Sequence, residues 1–118
     1  MITGSNSFMS DSEIKANKTK PIKRLKHLLT TGNIWLYVLS IIKRNGKAYA
    51  YALDEEMERL FFFRPSKVMI YLVLYRLESE GLITAEMEER RKYYKMTANG
   101  ENTLKAAKTY LSSLSKEL

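Results

Sequence analysis

The stretch from Glu78 to Gly100, ESEGLITAEMEERRKYYKMTANG, decides the fold. Gly81 follows the polar run Glu78-Ser79-Glu80 at the point where a helix takes a left-handed stop. Ile83, Ala85 and Met87 then recur at period two and define one face of a strand. The return strand runs from Arg91 to Thr97 and alternates Arg91, Tyr93 and Lys95 with Lys92, Tyr94 and Met96. One face can therefore pack, while the other, with the tip at Glu88 to Lys92, offers cations to a polyanion. A helix that feeds a basic hairpin and is followed at once by another helix is the pattern of a winged helix-turn-helix, whose wing lies along DNA phosphates.

Composition agrees with that reading. The chain has 118 residues, enough for one compact domain, and 45% of them are apolar, enough to build its core. It has no cysteine, which removes disulfides, thiolate metal sites and cysteine nucleophiles and fits a reducing interior. No apolar run reaches the roughly 20 residues that span a bilayer, and residues 1–20 lack the apolar centre of a signal peptide. A cytoplasmic location is expected. The net charge of +7 calls for an acidic partner, and its interleaving with tyrosines favours nucleic acid over a membrane.

Much of the charge sits near the start. Residues 1–30 carry Lys15, Lys18, Lys20, Lys23, Arg24 and Lys26 against Asp11 and Glu13, so they supply +4 of the +7. Residues 1–20 are rich in Ser, Thr, Asn and Lys and read as a disordered basic arm, either a solubilising tail or a segment laid on DNA. Ile22, Leu25, Leu28 and Leu29 recur at helical spacing and allow a short docked helix before Thr30. Residues 21–97 read as the winged helix-turn-helix and residues 98–118 as a C-terminal dimerisation helix. The fold class is mainly α with a small β-hairpin.

Within the folded part, Asn33 can cap a helix from Ile34 to Arg44, closed by Gly46 and apolar over nearly its whole circumference. A second helix, about Tyr49 to Leu60, turns Asp54, Glu55, Glu56 and Glu58 outward. With no histidine or cysteine nearby, those carboxylates read as a solvated face and no metal site is expected. Pro65 and Ser66 mark the start of a third helix, with either Ser66 as its cap or Pro65 in its first turn. Ile70, Val73, Leu74 and Leu77 face the core. Val68, Met69, Leu72, Tyr75 and Arg76 lie opposite, flanked by Lys67 and Tyr71. Lys67, Arg76 and the tyrosine hydroxyls can reach phosphates or base edges, whereas Val68 and Leu72 can touch only thymine methyls or another apolar surface, and Val68, Met69 and Leu72 taken singly read as core or an interface.

The last helix carries Leu104, Ala107, Leu111, Leu114 and Leu118 at alternating spacings of three and four, a coiled-coil seam. A bare seam of that length exposes too much apolar surface, so a partner helix from a second copy is expected to cover it. Such a homodimer sets two recognition helices and two wings on paired half-sites.

Three runs, AYAYALDEEM (Ala48 to Met57), SKVMIYLVLYRLESEGLI (Ser66 to Ile83) and RRKYYKMTANG (Arg90 to Gly100), resemble the PadR family of transcriptional regulators. That family carries a Tyr-Gly-Tyr-Glu stretch opening the second helix, Ser-x-Gly-Thr-Leu-Tyr and Arg-Leu-Glu-x-x-Gly-Leu-Ile at the two ends of the third, and an Arg-Arg-Lys-Tyr-Tyr-x-Leu-Thr wing strand. The resemblance spans about residues 28–118 and implies a winged-helix repressor of operator DNA, dimeric through its C-terminal and first helices. Carried across, it places Tyr51, Ser66, Lys67, Tyr71, Arg91 and Lys92 on the DNA side, to which helix periodicity adds Tyr75 and Arg76 and the hairpin tip adds Arg90. Val68-Met69 replaces the family's Gly-Thr, and Ala50 and Ala52 replace its Gly and Glu, which thins hydrogen-bonded base readout. Some members hold planar aromatic ligands between their dimerisation helices. The C-terminal helix here has Tyr110 but no Trp, so a pocket for a small aromatic effector would lie near Trp35, which otherwise reads as a core aromatic.

Two other classes are distinguishable. A protein-binding module would use the apolar face of the third helix and would bind DNA without strong salt dependence. An enzyme is disfavoured, because His27 is the only histidine and no phosphate-cradling glycine loop or nucleophile motif occurs.

Overall fold

Most turns among the described residues are set by a residue that ends a helix or starts one. The computed structural model describes residues 9–118, which divide after residue 32 into two compact units. In the first, helices α1 (Asp11–Ala16) and α2 (Lys20–Thr30) follow one another. Disorder was the expectation over residues 1–20. Residues 1–8 lie outside the described residues, but Asp11–Ala16 is helical and Ser10 caps it: the Ser10 hydroxyl accepts the Glu13 N–H at 3.2 Å and the Glu13 carboxylate accepts the Ser10 N–H at 3.2 Å, a reciprocal capping box. The helix expected from the Ile22, Leu25, Leu28 and Leu29 spacing is α2, with Pro21 in its first turn.

The second unit contains α3 (Ile34–Asn45), β1 (Ala48–Tyr49), α4 (Leu53–Phe61), α5 (Lys67–Ser79), β2 (Ile83–Glu88), β3 (Arg91–Met96) and α6 (Ala98–Glu117). The division falls after Gly32, and α6 belongs to the same unit as the helices before it. Gly46 closes α3 in the left-handed conformation with φ +79° and gives its N–H to Ile42 at 2.8 Å. Asn33 does not cap α3 with its side chain; its amide oxygen accepts the Trp35 indole N–H at 3.3 Å instead. The second helix starts four residues later than expected, because Ala48–Tyr49 pairs as a third strand and Ala50–Ala52 forms a 3₁₀ turn.

The sheet order is β1-β3-β2, all antiparallel, with Tyr49 opposite Tyr93 and Ile83 opposite Met96. At its base the hairpin is clasped. Gly81, with φ +75°, gives its N–H to Glu78 and Leu82 gives its N–H to Leu77, the paired bonds of a Schellman stop. Thr97 then closes the ribbon: its N–H bonds Leu82 at 3.1 Å, its hydroxyl donates to the Gly81 carbonyl at 2.7 Å, and the same oxygen accepts the Gly100 N–H at 3.0 Å to cap α6.

One apolar core holds these elements together. Val38, Leu39, Ile41 and Ile42 of α3 meet Leu53 and Met57 of α4, Ile70, Leu74 and Leu77 of α5, Ile83 and Tyr94 of the sheet, and Leu104 of α6. The α5 residues expected inside are inside, with Val73 half-buried. Tyr37 wedges edge-on between Phe61 and Phe63, ring centroids 4.8 Å from each, which fixes the turn between α4 and α5.

Candidate nucleic-acid interface

Ser66 is the cap of α5: its hydroxyl accepts the Met69 N–H at 3.2 Å, and Pro65 stands just outside. Lys67 is the first helical residue. Its ammonium donates to the Tyr51 carbonyl at 3.1 Å and lies 3.1 Å from an oxygen of Asp54. Arg64, in the turn before α5, reaches the same Asp54 oxygen at 3.0 Å and Glu58 at 3.2 Å.

Asp54 corrects the expectation of an outward acidic face. It is 3% exposed, while Glu55 and Glu58 do face solvent and Glu56 is half-buried against Arg59. Burial pushes the Asp54 carboxyl up, but hydrogen bonds from Lys67, Arg64 and the Glu55 N–H outweigh it and hold the group below its usual range. The sequence alone hid this, because the charged partners of Asp54 lie ten and thirteen residues away, in the following turn and on the next helix.

The hairpin tip is a two-residue loop, since Glu88 pairs with Arg91 and only Glu89 and Arg90 stand between. Both have positive φ, +50° and +74°, as a type I′ turn demands, and neither is a residue that adopts that region cheaply. Arg90 is thereby held at the extreme end of the ribbon. Arg91 and Lys92, adjacent in the strand, point to opposite faces. Arg91 lies over the Tyr49 ring, 5.2 Å from its centroid, and donates to the Tyr51 hydroxyl at 3.5 Å. Lys92 lies on the packing side over Tyr94, at 5.6 Å.

The ribbon is further tied to β1 through Glu88, which accepts from the Tyr49 hydroxyl at 2.6 Å and from Lys47 at 3.2 Å. Those two donors, Tyr49 first, hold the Glu88 carboxyl below the usual carboxylate range. Lys47 also sits over the Tyr93 ring at 4.8 Å, so cations and aromatic rings alternate across the outer face of the sheet. Tyr49, Lys47, Glu88, Arg64 and Asp54 were not picked out from sequence as site residues. The two-residue pairing of β1 with β3, which brings the first three together, is too short to leave a periodic signal.

Of the residues expected on this surface, Tyr51, Lys67 and Arg91 are joined. The Tyr51 backbone carbonyl holds Lys67 and its hydroxyl holds Arg91, so the front of α5 and the base of the tip share one residue. Ser66 is next to this group. Tyr71 and Tyr75 are exposed on α5, at 47% and 69%. Arg76 is exposed but stands on the other flank of the helix and nine residues on, roughly 13 Å along the axis from Lys67. Val68, Met69 and Leu72 are not core: they are open to solvent between these flanks, at 77%, 40% and 39%.

The seam of α6 is divided. Leu104 is 8% exposed and belongs to the core of its own chain, and Ala107 is half-buried. Leu111, Leu114 and Leu118 are open at 37%, 43% and 97%. Trp35 packs part-buried against the core. No group of side chains among the described residues is arranged to hold a metal ion, and no helix among them is long and apolar enough to cross a membrane.

Residues 38–106 match the model of the transcriptional regulator PadR-like family. Among solved structures, a PadR family transcriptional regulator from Eggerthella lenta is 26% identical, with 81% of this chain and 87% of that one covered at a TM-score of 0.70. A PadR-like transcriptional regulator from Bacillus cereus is 27% identical over 77% of this chain and 91% of that one, with a TM-score of 0.68. F93 from STIV, described as a winged-helix DNA-binding protein, is 17% identical with a TM-score of 0.64, covers 70% of this chain and 89% of that one, and shows a shared fold alone. No curated protein matches the sequence. With more than half of its length matched by the family model, and with the helices and wing in the places its motifs require, the chain belongs to the PadR-like family of transcriptional regulators.

Proposed function

We propose that this regulator binds double-stranded DNA as a homodimer and acts as a repressor, with α5 in the major groove and the β2–β3 wing on the flanking backbone. The observation that carries the reading is the Tyr51 junction, which ties Lys67 at the front of α5 to Arg91 of the wing in one cationic surface. Ser66, Lys67, Arg90 and Arg91 then serve phosphates from one face and Lys92, on the opposite face of the ribbon, a phosphate beyond its edge, while Tyr51, Tyr71, Tyr75 and Arg76 are the side chains in reach of sugar, phosphate or base edges. With Val68 and Met69 at the front of α5, bidentate base contacts are few, and discrimination between sites is expected to be modest. Leu111, Leu114 and Leu118, with Ala107 at their inner end, are the proposed contact to a second copy, and Leu104 anchors that helix to its own core. A small aromatic effector, if one acts, is expected beside Trp35.

Protection of genomic fragments at fixed salt, followed by a salt titration on the protected duplex, tests the reading. Replacing Arg91 and Lys92 with Ala is expected to weaken all duplexes about equally and to lower the slope of log affinity against log salt by roughly one for each phosphate no longer neutralised. An unchanged slope in a folded protein moves the phosphate footprint elsewhere. The exposed Val68, Met69 and Leu72 also suit an apolar protein partner, and for that second reading DNA affinity would be weak at every salt concentration.

A further inference from the structure

Asp54 is the one buried charged side chain among the described residues, and the apolar packing around it has no use for a carboxylate. Two cations meet it from different segments: Arg64 from the turn before α5 and Lys67 from its first residue, at 3.0 and 3.1 Å. Both are tied on the inner side and open on the outer, with side chains 43% and 57% exposed. Of the three ammonium donors of Lys67, Asp54 takes one and the Tyr51 carbonyl another, which leaves one unspent. Arg64 spends one donor on Asp54 and one on Glu58 and keeps others.

We propose that Asp54 is a positioning residue: it presets Lys67 and Arg64 at the front of α5 as a pair of cations for the DNA backbone. The inference rests on the DNA-binding reading above. A lysine or arginine head that is already fixed loses little side-chain freedom when a phosphate arrives. The low pKa of the carboxyl keeps it ionised, so the two cations stay held across neutral pH. Arg64 is also faced by Glu58 at 3.2 Å and Glu55 at 3.9 Å, both solvent-exposed, and neither reaches Lys67 within ion-pair distance.

The sign of one substitution separates this from a purely structural or a bystander role. Asp54→Asn keeps the shape, removes a negative charge close to a polyanion, and by charge alone should tighten binding. Positioning demands the opposite. On the full chain and a mixed-sequence duplex, Asp54→Asn is expected to weaken binding by about tenfold and to lower the salt slope by roughly one to two. Equal or tighter binding, or weaker binding at an unchanged slope, overturns the proposal. Lys67→Met leaves Asp54 paired with Arg64 and keeps the test open should Asp54→Asn not fold; its slope should fall by roughly one, and no fall overturns the proposal. Where both fold, adding Lys67→Met to Asp54→Asn should cost less than it does in the wild type, and full additivity counts against the proposal. The Arg91→Ala, Lys92→Ala wing variant runs alongside: if it too leaves the slope unchanged, the DNA reading has failed rather than the role of Asp54.

Discussion

Replacing Gly100 with Ala sets two physical effects against each other. Gly100 lies in the first turn of α6, and by helix propensity alone Ala there gains about 1 kcal/mol. The structure opposes this, because the added methyl would overlap the Leu82 carbonyl oxygen and press on Met96 Sδ at 3.0 Å. The carbonyl is backbone, pinned by the Schellman stop on one side and by the Thr97 N–H at 3.1 Å on the other, so it cannot swing aside as a side chain would. Relieving the overlap costs about 1–3 kcal/mol of repacking, and parting Leu82 from Thr97 costs a further 1–3 kcal/mol or so. After the propensity gain, the net loss is about 1–5 kcal/mol, centred near 3, which corresponds to a fall in Tm of roughly 5–25 °C. Urea unfolding of the full chain at one fixed protein concentration measures it. Gly32→Ala, where nothing lies within 4 Å of the new methyl, serves as the control and should stay within about 0.5 kcal/mol of wild type. A Gly100→Ala protein as stable as wild type, or more so, means that the clasp yields and the steric reasoning is wrong.

Three further outcomes are expected. Leu111→Asp should leave the isolated protomer nearly unaffected, since that side chain is 37% exposed there, but should cost a dimer several kcal/mol by placing a charge in the seam; sedimentation that still reports a dimer of unchanged stability removes the seam from consideration. Glu89→Asn with Arg90→Gly supplies residues suited to the two positive φ values at the tip and should raise stability by roughly 1 kcal/mol, while loss of the Arg90 cation weakens DNA binding; stability and affinity moving together would contradict the assignment of the turn. Because the Asp54 carboxyl is depressed in the folded chain, its contribution to stability is present above the ordinary value of 3.8 and disappears as pH falls through the lower folded value. Asp54→Asn should therefore flatten the stability profile in that acid window, and an identical profile would show that the pairing contributes nothing.

The residues that made the fold legible are those whose neighbours are close in sequence. Ile70, Val73, Leu74 and Leu77 announce the buried side of α5 by spacing alone, and Gly46 and Gly81 mark helix ends because each takes up a positive φ. What stayed hidden depends on partners brought together by the chain's return. β1 is two residues long and exists only because Tyr93 and Tyr94 come alongside it. Asp54 reads like its neighbours Glu55 and Glu58 until α5 swings Lys67 over it, and Arg64 has no periodic context at all. Ser10 and Glu13 do carry a readable cap, outweighed by the polar composition around them. The candidate surface was accordingly half visible: Tyr51 and the cations on α5 and the wing, but not Asp54, Glu88 and Tyr49, which help to aim them.

The Thr97 clasp has a geometric consequence beyond stability. One hydroxyl bonds both the stop of α5, through Gly81, and the cap of α6, through Gly100. The angle between those two helices is therefore set at a single rigid joint rather than by a flexible linker. Any dimer joined through α6 inherits that angle twice, so the joint works as a gauge for the distance between the two α5 helices and hence for the spacing of the half-sites they can straddle. A substitution that loosened this joint without unfolding the chain would alter which spacings of DNA are tolerated while leaving every side chain on the reading surface in place.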